Sequence, residues 1–188
     1  MEDKCIVLVD VFDNKVGMST KQEVHRAGKL HRAFSVFLYH RDMMFLQKRA
    51  INKYHSGGLW SNACCSHPPD NVVLAEFARK RVYEEIQVEC PVEEVFQFIY
   101  FHKFDDELFE YEYDHVFIGE YEGDFYLNTE ETIDAKWVSF KELAALIKEQ
   151  PQLFSVWFLA AAPKVMEIIL GRKNKIPGEK VICPEPPI

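Results

Sequence analysis

The chain has 188 residues, 48% of them hydrophobic and 28% charged, with a formal net charge of −8. That length buries one core well and is short for two domains, and no apolar run approaches the roughly eighteen residues of a membrane span. The acidic balance argues against a general nucleic-acid binder, so an anionic ligand would need local cations or metal ions.

In chain order, the opening MEDKCIVLVD lacks the basic start of a signal peptide, so secretion is not expected. CIVLVDVFDNKVG reads as a strand running into a polar turn, and AFSVFLYHRDMMFLQKRA as a hairpin turning at His40-Arg41-Asp42. Lys48, Arg49 and Lys53 follow it, ahead of a Gly57-Gly58 turn. Over 72–89, Leu74, Phe77, Ala78, Val82 and Ile86 recur at helical spacing; this predicts an amphipathic helix capped by Asp70 or Asn71 and closed by Pro91. VFQFIYFHKF and LFEYEYDHVFIGEY are aromatic-rich strand candidates, and Glu110, Glu112 and Asp114 fall at period two on one face of the second. AKWVSF predicts a short strand, KELAALIKEQ a helix, and QLFSVWFLAAAPKVMEIIL a helix bent or interrupted at Pro163. The proline-bearing tail from Lys173 reads as peripheral. Strands alternating with three helices point to an α/β or α+β sandwich.

Several groups carry potential chemistry. His25 and His31 are six apart, poorly spaced for one helix face, but a loop and a strand start would let them converge. Joined by His67, Glu110 and Glu112 they would suit zinc, manganese or iron; otherwise each is an ordinary surface or core residue. Two carboxylates on one strand face repel unless a cation or shared proton intervenes, so Glu110 and Glu112 either bind metal or line a solvated edge. Glu84-Glu85 sit at the helix pole that favours cations, which a bound cation or pairing with Lys80 and Arg81 would explain. Lys48, Arg49 and Lys53 are either a phosphate clamp or exposed surface charge. In LWSNACCSHP a thiol lies near a histidine, as a nucleophile or a proton-transfer group would. Adjacent cysteines rarely bridge, and an odd total of five suggests reduced thiols in a cytoplasm.

Taken in order, HRAGKLHRAFSVFLY, QKRAINKY, GGLWSNACCSHP, RKRVYEE and FEYEYDHVF resemble the type I isopentenyl-diphosphate isomerases, metal-dependent members of the Nudix superfamily, from about residue 4 to 160. The resemblance implies a Nudix-like α/β/α sandwich with a mixed central sheet and an extra N-terminal strand region. It implies one catalytic domain over 1–172, a peripheral tail at 173–188, and interconversion of isopentenyl and dimethylallyl diphosphate. The family's metal site falls on His25, His31, His67, Glu110 and Glu112, with Cys65 counted beside them; Mn²⁺ or Zn²⁺ is expected there. Glu85 matches the glutamate that helps hold Mg²⁺ on the substrate diphosphate. Cys65 and Glu112 match the proton-transfer pair, with Tyr100 assisting Glu112, and Cys64 becomes a small buried neighbour. Lys21, Arg49, Lys53 and Arg81 match basic contacts to the diphosphate, and Trp157 an aromatic facing a cationic intermediate. The implied partner is a small isoprenoid diphosphate, with no nucleic acid or membrane.

The chain also departs from the family's relatives. The hydrolytic Nudix box carries Arg-Glu-x-x-Glu-Glu where this chain has KRVYEE, with Arg81 in place of the first glutamate. That favours isomerisation over the alternative, hydrolysis of a nucleoside or other diphosphate. Gln87 replaces the glycine that usually ends the motif, and Ser66 a glycine common between Cys65 and His67; small shifts of the helix end and thiol loop are expected.

Overall fold

The computed structural model describes residues 5–53, 55–105 and 107–173. Of the expected tail at 173–188, Lys173 ends a helix and the rest, Cys183 with it, lies outside the described residues. β1 (Cys5–Val9) and β2 (Lys15–Thr20) form an antiparallel N-terminal ribbon, followed by α1 (Lys21–Ala27). β3 (His31–His40) and β4 (Met43–Arg49) form the expected hairpin, and short strands β5 (Trp60–Ser61) and β6 (Cys64–Ser66) precede α2 (Leu74–Ile86). β7 (Glu93–Asp105), β8 (Leu108–Glu120) and β9 (Thr132–Ser139) then lead into α3 (Phe140–Glu149) and α4 (Val156–Lys173).

β3 is the trunk of a mixed sheet. On one side it runs parallel to β8, from His31 opposite Glu112 to Tyr39 opposite Glu120. Along its other side it meets β1 at Leu8, β6 over Phe34–Val36, and β4 only at the hairpin end. β4 pairs with β9 along its length but leaves β3 after Met44, and the gap between β3 and β4 admits β6 and opens a cavity. Because side chains alternate along a strand, β3 feeds two cores. Phe34, Val36 and Leu38 pack with Ala78, Val82 and Ile86 of α2, while Phe37 packs on the opposite face with Phe158, Ala161, Ala162 and Val165 of α4. Each of the larger side chains here, the Phe, Val, Leu and Ile, contributes about 1.5–3 kcal/mol when fully buried. The fold is α+β, two helical layers on a mixed sheet.

Several elements differ from expectation. α2 starts at Leu74, not near Val72, and its N-cap is Val73, with no side-chain cap bond. Asp70 pairs with Lys15 instead, and Asn71 takes a left-handed φ of 56°. The helix stops at Gln87, which adopts φ 54°, ψ 30° and donates its N–H to the Tyr83 carbonyl, so the glutamine itself assumes the glycine-type cap well before Pro91. α4 runs through Pro163 without a break, and Pro163 itself is exposed. Among the described residues a further α-helix, α1, joins the three expected. β8 is internal, between β3 and β7, so Glu110 and Glu112 line no solvated edge.

Candidate active site

α1 is defined by its caps. Thr20 and Glu23 form a reciprocal capping box, and Gly28 closes the helix at φ 58°. Within these seven residues only Val24 and His25 are buried, so the short helix turns one imidazole inward. His31 opens β3 directly across from Glu112, His67 follows β6, and Glu110 and Glu112 share the inner face of β8.

The side chains converge. One donor atom from each of His25, His31, His67 and Glu110 falls within a 4.8 Å group. His25 Nε2 lies 2.9 Å from Glu110 Oε1, and His67 Nε2 lies 3.0 Å from Glu112 Oε1 and 3.2 Å from His31 Nε2. Glu112 adjoins the group through His67 and through His31 Nε2 at 3.6 Å. The outer nitrogens explain the orientation: His25 Nδ1 donates to the Lys21 carbonyl at 2.6 Å and His31 Nδ1 to the Lys29 carbonyl at 2.9 Å. Carbonyls only accept, so these Nδ1 atoms carry the protons and the Nε2 lone pairs face the cluster, as second partners of metal-bound histidines do. Ligands about 2.1 Å from a metal stand roughly 3.0–3.4 Å apart, and the His31–His67 spacing fits that edge. The residues present fit a divalent cation.

Burial is the largest single influence on each of these groups, though not always the deciding one. It pushes the His67 imidazole down to about 4, leaving a neutral ring suited to metal. Burial also opposes charge on His31 and Glu112, but their mutual contacts outweigh it, raising His31 and holding Glu112 well below the usual carboxylate range. Tyr100 donates its hydroxyl to Glu112 Oε2 at 2.7 Å, and burial together with that carboxylate raises its phenol well above normal.

Cys65, like Glu112, is not among the four residues whose donor atoms converge within 4.8 Å. Its Sγ donates to Asn62 Oδ1 at 3.1 Å and lies 3.6 Å from Ser35 Oγ, which donates to Asp114 Oδ2 at 2.7 Å. Asn62 is fully buried, and its amide donates to the carbonyls of Val36 and Cys64, which aims the oxygen at the thiol. Burial pushes the Cys65 thiol up to about 12. Cys64 points to the α2 side, fully buried as expected, and donates to Glu85 Oε1 at 3.3 Å.

A cavity of about 570 Å³ joins these groups, lined by Cys65, His67, Tyr100, Glu110, Glu112 and Trp157 and by Lys21, Arg49, Lys53, Arg81 and Glu85. Trp157 donates its indole N–H to Ser61 Oγ at 2.9 Å and to Asn62 Oδ1 at 3.2 Å, and the Arg49 guanidinium lies 5.0 Å from its ring centre. Glu85 stands apart from the histidine cluster, held by Arg81 at 2.7 Å and Gln47 at 3.1 Å. Arg81 also pairs with Glu84, and Lys53 with Glu131.

A NUDIX domain model matches residues 29–158. An isopentenyl-diphosphate Delta-isomerase 2 of Aromatoleum aromaticum is 46% identical over 167 residues, 88% of this chain and 88% of its own. The protein of that name from Photorhabdus laumondii is 45% identical, over 83% of this chain and 89% of its own. The chain belongs to the NUDIX family, among its isopentenyl-diphosphate Delta-isomerases. A crystal structure from Deinococcus radiodurans superposes with a TM-score of 0.69 over 88% of this chain and 99% of that one; at 15% identity the likeness concerns the fold. In this NUDIX chain α2 carries the box segment, and Arg81 ties up both glutamates that follow it.

Sequence reasoning missed three participants. His55 Nε2 lies 2.8 Å from Glu110 Oε1, and nothing in KYHSGG marks it. Asn62 sits inside the quoted LWSNACCSHP, yet its role needs the β3 carbonyl beside it. Asp114 completes the period-two carboxylates, but only the fold shows its link to Cys65 through Ser35.

Proposed function

We propose that this chain interconverts isopentenyl and dimethylallyl diphosphate. The observation that carries the reading is one cavity lined both by the Cys65 thiol and by the Glu112–Tyr100 pair beside an imidazole–carboxylate cluster. The 46% identity to an isopentenyl-diphosphate Delta-isomerase supports it. Moving the double bond needs a proton added at the terminal alkene carbon, whose π electrons form the new C–H bond and leave a tertiary cation at C3. A proton is then lost from C2 on the opposite face, and its bonding pair closes the C2–C3 double bond. Of Cys65 and Glu112, one gives and the other takes. Tyr100 holds a proton at Glu112 Oε2, Asn62 orients the thiol, and the Trp157 ring stabilises positive charge through its π face. The reaction needs water kept from the cation, and Tyr100 and Trp157 are the groups that would shield that end of the cavity with substrate bound.

In this reading His25, His31, His67, Glu110 and Glu112 hold Mn²⁺ or Zn²⁺, while Glu85 helps hold Mg²⁺ on the substrate diphosphate. Bound cations would supply positive charge that sets the protonation of Glu112 and neutralises the diphosphate. Lys21, Arg49, Lys53 and Arg81 receive the diphosphate, and Arg81 and Lys53 exchange carboxylate partners for phosphate to do so. Arg81 stands where the hydrolytic box has its first glutamate, so fewer carboxylates remain for the metal cluster that hydrolysis uses, which favours isomerisation over cleavage of a nucleoside or other diphosphate. A single catalytic domain over 1–172 and a cytoplasmic location belong to the same reading. The free thiols at Cys5, Cys64, Cys65 and Cys90 support that location, and no helix among the described residues is long and apolar enough to cross a membrane. Cys65→Ala and Glu112→Gln should each abolish isomerisation with the circular dichroism spectrum unchanged; full activity in either sinks the proposal.

A further inference from the structure

His55 reaches the cluster from the loop between β4 and β5. That loop is built to turn back: Gly58 N–H donates to the Arg49 carbonyl, Arg49 N–H to the Leu59 carbonyl, and Arg49 Nη2 reaches the His55 carbonyl. A Cβ on Gly57 would fall 2.3 Å from the Ile51 carbonyl oxygen, and Gly58 has φ 78°, so the pair of glycines is required to bring the chain round. The returning imidazole is 9% exposed, stacks on Phe104 with centroids 4.8 Å apart, and meets the Trp157 ring edge-on at 5.6 Å. Its Nε2 comes to 2.8 Å from Glu110 Oε1. His25, His31 and His67 form a triangle of ring centroids 4.9–5.4 Å apart, whereas His55 stands 6.2 Å from His25 and is not in the converging ligand group. It touches the cluster through the carboxylate.

We propose that His55 is a positioning residue of the metal site: its Nε2–H fixes the Glu110 carboxylate, and the ring couples that ligand to the Trp157 wall of the substrate cavity. This rests on the reading of Glu110 as a metal ligand. A buried carboxylate is poorly directed by itself, and donors beyond the ligand shell set its orientation and basicity; loss of such a partner typically lowers metal affinity about 10–100-fold. The alternative role is a direct contact to the diphosphate, since Arg49 and Lys53 lie in the same cavity.

The test titrates metal-free protein with Mn²⁺ and with Zn²⁺ in competition with a chromogenic chelator, using the wild type, His55→Ala, His55→Gln and His25→Ala. KM for isopentenyl diphosphate is measured at saturating metal, and the circular dichroism spectrum of each variant is recorded. His55→Ala should bind metal about 10–100-fold more weakly, with KM near wild type once metal saturates. His55→Gln, whose amide still donates, should recover part of the affinity. Metal affinity within twofold of wild type in a folded His55→Ala overturns the proposal, and so does a raised KM with affinity intact. If His55→Ala fails to fold, His55→Phe, which keeps a ring against Phe104 but has no N–H to donate, decides on the same criteria. Undiminished metal binding in His25→Ala would instead sink the metal-site reading itself, which separates the two failures.

Discussion

Asn62→Asp replaces an amide by a carboxyl of the same shape at a position with no solvent exposure. The amide nitrogen donates to Val36 O at 3.0 Å and to Cys64 O at 2.7 Å, and the substitution sets an oxygen against both. Protonated, the new carboxyl satisfies one carbonyl and orphans the other, a cost of about 1–3 kcal/mol. It must also stay protonated against an unfolded reference near 3.9, which costs about 1.4 kcal/mol for each pH unit by which the solution lies above that reference, up to the folded pKa. The sum is about 3 kcal/mol at pH 5. Burial raises the folded pKa above the unfolded one, so the stabilisation from the protonated carboxyl is complete below the unfolded value and is lost as pH rises towards the folded value. The deficit should therefore grow by roughly 2 kcal/mol or more at pH 8. Urea unfolding of wild type and variant at both pH values reads the difference, and thermal scans should show a fall of roughly 6–12 °C at pH 5. A deficit below about 1 kcal/mol at both pH values, or one that shrinks as pH rises, would refute the assigned amide orientation and with it the acceptor aimed at Cys65.

Gln87→Gly should stabilise the protein by about 0.5–1 kcal/mol, because a left-handed L-residue costs about 1–2 kcal/mol and glycine gives part of that back as unfolded-chain entropy. Urea midpoints with unchanged slope check it, and an unchanged or lower midpoint contradicts it. Iodoacetamide at pH 8 should label exposed Cys5 well before Cys64, Cys65 and Cys90, since burial raises those three thiols and only the thiolate reacts. Peptide mass spectrometry over time gives the order, and labelling of Cys65 as fast as Cys5 would contradict the enclosed thiol.

What was legible in the chain follows from periodicity and length. α2, α3 and the long strands carry enough apolar residues for a period to emerge, and the motif order located the metal ligands on elements that do meet. α1 was hidden because seven residues with two buried side chains have no measurable period; its readable signal was local, Thr20 and Glu23 at capping-box spacing with Gly28 behind. The edge or centre position of β8 depends on pairing with β3, where partners such as His31 and Glu112 are far apart in sequence, so the solvation of Glu110 and Glu112 could not be read locally. The same holds for His55, which contributes only because two glycines fold its loop back onto Glu110. The two thiols separated as extended chain requires, Cys65 towards the cavity and Cys64 towards α2.

Incubation with isopentenyl diphosphate in deuterated water with Mg²⁺ tests the central claim most directly, since proton addition at the terminal carbon and loss at C2 must exchange with solvent. The account predicts deuterium in the newly formed methyl group of dimethylallyl diphosphate, and none when Cys65→Ala or Glu112→Gln replaces the wild type. Release of phosphate or pyrophosphate without any dimethylallyl diphosphate would contradict it.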